Sequence, residues 1–178
     1  MSCLVGLIDG KDIWLGCEGL ASSDNGDIRG RSHKKIFRNG DYVIGFVGSV
    51  RSGQILQEEY FIPPKKISDL PDAIREQCAA KGCMGSDENQ MEMMLSNYLV
   101  VFEGRLYEVL TDFHLYEVTE YSSVGAGANF AIGSLYTTKI LNQSAKVKIP
   151  AEVRVKLALN TAIEFNAACG GKLTIEKF

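Results

Sequence analysis

The run Tyr42-Val43-Ile44-Gly45-Phe46-Val47 holds no charged or strongly polar side chain. Successive side chains of a strand point to opposite faces, so a strand apolar at both parities needs cover on each face. The chain must therefore place this strand centrally, between layers. Asn39-Gly40 just before it is a turn dipeptide, which pairs Lys34–Arg38 with Asp41–Val47 as a hairpin. An opening hairpin is expected around Asp9-Gly10, flanked by Val5, Leu7, Ile13 and Leu15 at strand-like spacing. A third is expected from Leu95–Phe102, the turn Glu103-Gly104 and Arg105–Thr111.

Between these lie helical segments. Ser49 can cap a helix reaching about Tyr60, with Val50, Ile55 and Leu56 facing inward, and Pro63-Pro64 ends it. Ser68 to about Ala80 reads as a second helix. Ala128–Leu141 and Pro150–Ala168 are two more, the last opened by proline and stopped by Gly170-Gly171. Ser22–Arg31 and Gly82–Gln90 read as loops, the first with Asp24-Asn25-Gly26 as its turn. His114–Val118, Tyr121–Val124 and Leu173–Ile175 read as short strands. Hairpins, two helices, hairpins, two helices and a strand fit two antiparallel sheets stacked face to face with helix pairs outside. The expected fold is α+β, a four-layer αββα sandwich, with residues 1–178 as one domain.

Composition narrows the function. The 178 residues carry a net charge of −3 with basic residues scattered, so neither nucleic acid nor an acidic membrane surface is expected as a partner. No apolar stretch approaches the roughly 20 residues of a membrane span, and no basic-then-apolar leader precedes the domain. Five cysteines lack metal-site spacing and there are two histidines, so no metal or cofactor is expected. A reducing cytoplasm fits this cysteine usage.

The opening residues carry a chemical possibility. Ser2 directly follows the initiator Met, which is normally removed before so small a residue. Ser2 would then combine a hydroxyl nucleophile with an α-amine whose ordinary pKa of about 7.7–8.0 suits a general base. The alternative for Ser2 alone is an ordinary frayed terminus.

The ordered set of short segments resembles the proteasome β-subunit/HslV family of N-terminal-nucleophile hydrolases, and in particular the short proteasome-like proteins of bacteria and phages. Ser-Cys-Leu-Val-Gly-Leu at 2–7 is similar to that family's opening strand, where Thr usually stands at the position of Ser2. Gly16-Cys17-Glu18-Gly19 replaces an Asp by Glu18. Lys35-Ile36-Phe37 resembles the segment of the catalytic lysine. Gly45-Phe46-Val47-Gly48-Ser49 resembles the glycine turn, Gly125-Ala126-Gly127 and Ala131-Ile132-Gly133 a later turn and helix. Asn166-Ala167-Ala168-Cys169-Gly170-Gly171 stands for the usual Asp-Ser-Ala-Ser-Gly-Gly.

The resemblance implies roles. Ser2 Oγ attacks a carbonyl, Lys35 lies beside it, and Glu18 holds Lys35 charged and oriented. The Gly48 amide serves the oxyanion, and Asn166 and Cys169 orient the amine. Each has a plainer reading. Lys35 can be half of a solvated Lys34-Lys35 pair and Glu18 an exposed carboxylate. Gly48 can serve only the turn before Ser49, and Asn166 a helix end. Cys3 is a competing thiol, inert if buried.

The resemblance further implies a self-compartmentalising peptidase: a homo-oligomer in a ring or stacked rings, a polypeptide substrate, and an ATPase unfoldase as a possible partner. The helix at Ser49–Tyr60 and the stretch His114–Ser123, with Phe113, Leu115, Tyr116 and Tyr121, are the expected subunit contacts. A ring or scaffold subunit that has lost the chemistry, favoured by Ala126 and Asn166, and an amidase on small substrates are the alternatives.

Overall fold

The computed structural model describes residues 2–22, 27–32, 34–58, 61–144 and 148–178. Met1, whose removal would expose Ser2, lies outside them, as do the Asp24-Asn25-Gly26 turn and Tyr60.

The chain opens with strands β1 (Cys3–Asp9) and β2 (Asp12–Glu18), then the short β3 (Ala21–Ser22) and β4 (Ile28–Gly30). Strands β5 (Ile36–Asn39) and β6 (Tyr42–Gly48) lead into helix α1 (Val50–Gln57). A 3-10 turn at Ile67–Asp69 precedes α2 (Leu70–Ala80). Then come β7 (Met84–Ser86), β8 (Glu92–Met94), β9 (Ser96–Phe102), β10 (Arg105–Val109), β11 (Leu115–Val118) and β12 (Tyr121–Gly125). Helices α3 (Ala128–Ser144) and α4 (Ala151–Phe165) and strand β13 (Leu173–Lys177) complete the chain.

Two antiparallel sheets form the centre, in the orders β12-β1-β2-β13 and β11-β10-β9-β6-β5. Three apolar clusters define the layers. Leu4, Leu15, Ile36, Val43, Leu99 and Leu106 fill the space between the sheets. Phe46, Ile55, Leu56, Leu70, Ile74 and Tyr98 lie between the second sheet and α1/α2. Val5, Leu7, Leu135, Val155 and Leu159 lie between the first sheet and α3/α4. This is the expected αββα sandwich. Tyr42–Val47 is buried throughout, as its double-faced apolar pattern requires.

Glycines let the sheets interlock. A Cβ on Gly45 would stand 2.9 Å from the Leu4 methyls, and one on Gly6 would stand 2.8 Å from a Leu106 methyl. Leucine from one sheet thus fills the space a side chain would need on the other, which resists sliding.

Local departures have local causes. The register pairs Asp9 with Asp12 and Asn39 with Tyr42, so the two-residue loops are Gly10-Lys11 and Gly40-Asp41, one residue later than the dipeptides suggest. Gly at the first loop position, with φ of 65° and 56°, suits a type II′ turn. Both Glu103 and Gly104 have positive φ, and that turn falls where expected. Helix α1 ends at Gln57, short of the expected Tyr60. Helix α4 starts at Ala151 and ends at Phe165, before Ala168. Part of each expected loop is strand, β3 pairing with β4 and β7 with β8. Strands β11 and β12 join different sheets, β11 beside β10 and β12 beside β1.

Candidate active site

Ser2 precedes β1 in one sheet and Lys35 precedes β5 in the other, while Glu18 ends β2. The structure brings all three together. Lys35 Nζ donates to Ser2 Oγ at 2.6 Å, to Glu18 Oε1 at 2.9 Å and to the Leu20 carbonyl at 2.8 Å. Glu18 is fully buried, and Ser2 and Lys35 are 4% and 3% exposed. An ammonium has three protons, and these three acceptors use all of them. Ser2 Oγ therefore accepts from Lys35, and the serine's own proton must leave toward another group.

The Glu18 carboxylate is held on both oxygens. Oε1 accepts from the Cys3 N–H at 3.1 Å as well as from Lys35. Oε2 accepts from Leu20 N–H at 2.7 Å and Gly170 N–H at 3.1 Å. Charge pairing plus three backbone donors is what a buried ion pair needs to offset lost hydration. Leu20 and Gly170, which sequence reasoning missed as site residues, act here through main-chain atoms and so leave no side-chain signature. The available signal was glycine. A Cβ on Gly19 would stand 2.8 Å from the Arg31 carbonyl, and Gly171 has a φ of 82°.

A narrow pocket opens on Ser2, lined also by Lys35, Phe46, Val47, Gly48 and Val50. Gly48, with φ of 119°, lies against Leu95 and Ser96, and any Cβ there would overlap the Leu95 carbonyl oxygen. Ser49 caps α1 by accepting from the Ser52 N–H, so Gly48 is fixed between a strand and a capped helix.

Asn166 and Cys169 sit differently. Asn166 caps α4, donating to the Ala126 carbonyl at 2.7 Å and accepting from Ala168 N–H at 2.9 Å. Neither bond reaches Ser2, Glu18 or Lys35. Cys169 is buried against Gly127, where a Cβ would stand 2.7 Å from its sulfur.

Burial, the main cause, pushes Cys169 up to about 11 and Cys3 up to about 12 from the ordinary 9.0. Burial likewise raises Cys17 and Cys78 to about 11. These thiols are neutral at physiological pH and do not compete as nucleophiles. Their shifts also set a stability slope. Below pH 9 the thiols are protonated in folded and unfolded chains alike. Above it the unfolded chain loses these protons first, so the folded state binds more and stability falls as pH rises. Urea midpoints are expected to drop progressively between pH 9 and about 12; a flat profile there would contradict this burial.

No family model matches the sequence, and no curated protein matches it. Solved structures do match over nearly the whole chain. The fold is that of the proteasome β/HslV class. Thiobacillus denitrificans BPH superimposes with a TM-score of 0.82 at 18% identity, covering 99% of this chain and 97% of that one. The same protein in complex with epoxomicin gives 0.79 at 17% identity with the same coverage. Eukaryotic HslV from Trypanosoma brucei gives 0.68 at 18% identity, covering 98% of each chain. At such identities the likeness is one of fold.

Proposed function

We propose that the chain is a proteasome-like peptidase subunit whose nucleophile is Ser2, freed by removal of Met1. The observation that carries this reading is the 2.6 Å bond from Lys35 to Ser2 Oγ inside a buried, fully satisfied ion pair. Lys35 is a poor base while it donates all three protons, so the proton of Ser2 passes to the α-amine, directly or through water. The ammonium beside both groups favours the deprotonated hydroxyl and the neutral amine. The resulting alkoxide attacks a peptide carbonyl in the pocket, and the Gly48 amide donates to the oxyanion. The amine returns its proton to the leaving nitrogen, and water then hydrolyses the acyl-serine. Asn166 and Cys169 shape the turn that borders Ser2 and position its amine only indirectly.

The assembled form proposed is a homo-oligomeric ring or stacked rings in the cytoplasm, with an unfoldase ATPase as a further partner. Among the described residues no helix is long and apolar enough to cross a membrane. Of the aromatic and apolar residues expected at subunit contacts, Phe113, Leu115 and Tyr121 pack against the molecule's own core. Tyr116, the fourth of them, is exposed, and helices α3 and α4 expose Phe130, Leu141, Leu157 and Phe165 along one groove. So many exposed apolar side chains on one helix pair support association.

Intact mass, light scattering and cleavage of a fluorogenic peptide panel test the proposal together. Expected are a chain lacking Met1, a particle many times 19.5 kDa, and hydrolysis abolished by Ser2→Ala. Cleavage that survives Ser2→Ala, or Met1 fully retained in the native host, would overturn it. A second reading, a ring subunit without chemistry, draws on the bonds that turn Asn166 away from Ser2. It predicts the particle without hydrolysis.

A further inference from the structure

Arg154, in the second turn of α4, is 8% exposed. Its guanidinium donates from Nε to Thr138 Oγ1 at 3.1 Å and from Nη2 to the Leu135 carbonyl at 3.4 Å, both on α3. Both acceptors are neutral. A guanidinium carries five donors in a planar fork, yet among the described residues no carboxylate lies within 4.0 Å of it, and Nη1 has no protein acceptor and is left to the pocket it lines. A charge nine-tenths removed from water without a counter-ion is costly, and such groups are normally paired.

The space beside it is a pocket of about 170 Å³ lined by Leu7, Ile8, Glu120, Tyr121, Lys139 and Arg154. It lies at the end of β1 away from Ser2. Lys139 brings a second cation to its wall. Glu120, the one acidic residue there, is turned to Lys139, both carboxylate oxygens accepting from Nζ. Glu152, two residues before Arg154 on α4, is exposed and faces elsewhere on the helix. The lining therefore carries two positive charges against one negative, and the buried cation is the unpaired one.

We propose that this pocket binds a small tetrahedral oxyanion, phosphate or sulfate, with Arg154 as its anchor and Lys139 as the outer cation. The planar fork suits two oxygens of such an anion, and its arrival neutralises the buried charge. Binding to the folded chain alone raises its melting temperature by mass action.

The test is thermal unfolding of the full chain titrated with inorganic phosphate, with ionic strength held constant by sodium chloride. A parallel titration with sulfate distinguishes a general oxyanion site from one selective for phosphate. Once phosphate exceeds its dissociation constant, each further tenfold increase should raise Tm by about 3–5 °C. Arg154→Met should remove that response. Lys139→Met, on the exposed wall, should weaken it while the fold is kept, and it serves if Arg154→Met does not fold. Broadening of the phosphorus NMR signal by wild-type chain supplies a readout independent of stability. No phosphate response in wild type, or the same response in Lys139→Met and Arg154→Met, would overturn the proposal. A constant loss of Tm in Arg154→Met, with wild type unresponsive, would make Arg154 a staple between α3 and α4 and nothing more.

Discussion

Lys35→Met, made in the chain that begins at Ser2, is expected to lower peptide hydrolysis by at least about 10³-fold in kcat, with little change in KM. Methionine keeps the apolar stem but removes the three hydrogen bonds to Ser2, Glu18 and Leu20. The pH profile should change as well. Without the neighbouring ammonium the α-amine loses the influence that keeps it neutral, so residual activity should need higher pH. Stability should suffer too, because Glu18 is left as a buried carboxylate without its counter-ion. Its three backbone donors soften that loss, and a cost of about 3 kcal/mol is expected. Activity must therefore be compared well below the variant's melting temperature. Lys35→Arg should not rescue, since a planar fork cannot reproduce three donors spread around one nitrogen. Equal activity in Lys35→Met and wild type would remove lysine from the mechanism.

The largest loss of stability is expected from Glu18→Ala. Truncation strands the buried N–H groups of Cys3, Leu20 and Gly170 and the Lys35 ammonium. At about 1–3 kcal/mol for each orphaned donor, the variant should melt more than about 10 °C below wild type or fail to fold. Glu18→Gln is the sharper probe. Its carbonyl can satisfy one side of the site, but donors approach from both sides, so the new NH₂ must face one of them. An intermediate loss of stability and a large loss of activity should follow. A melting temperature unchanged in Glu18→Gln would show that the carboxylate is not held as described.

The sandwich was legible because its signals are local. The double-faced apolar strand at Tyr42–Val47 demanded layers, and turn glycines marked the hairpins to within a residue. What escaped was set by tertiary pairing. The short strands Met84–Ser86 and Glu92–Met94 are stabilised by each other and by Leu95 packing on Gly85, which no periodicity in three residues can announce. The separation of β11 from β12 into different sheets is likewise invisible in their composition. Within the candidate site, Ser2, Glu18 and Lys35, singled out by the resemblance, lie together, while the main-chain groups of Leu20 and Gly170 had no side-chain signal in the sequence. Leu20 and Gly170 contribute a carbonyl and N–H groups that every residue except proline could supply in full. Asn166 was ambiguous between a helix end and the amine site, and its bonds are those of a cap.

Strand β13 lies beside β2, and the Gly170 N–H that precedes it reaches Glu18. The first and last parts of the chain therefore meet in one hydrogen-bonded cluster. A chain clipped ahead of Gly170 would keep Ser2, Glu18 and Lys35 yet lack one of the three backbone donors on the Glu18 carboxylate. The support of a carboxylate near the front of the sequence thus depends on a main-chain group 152 residues away, so local unfolding around β13 would be felt at Glu18.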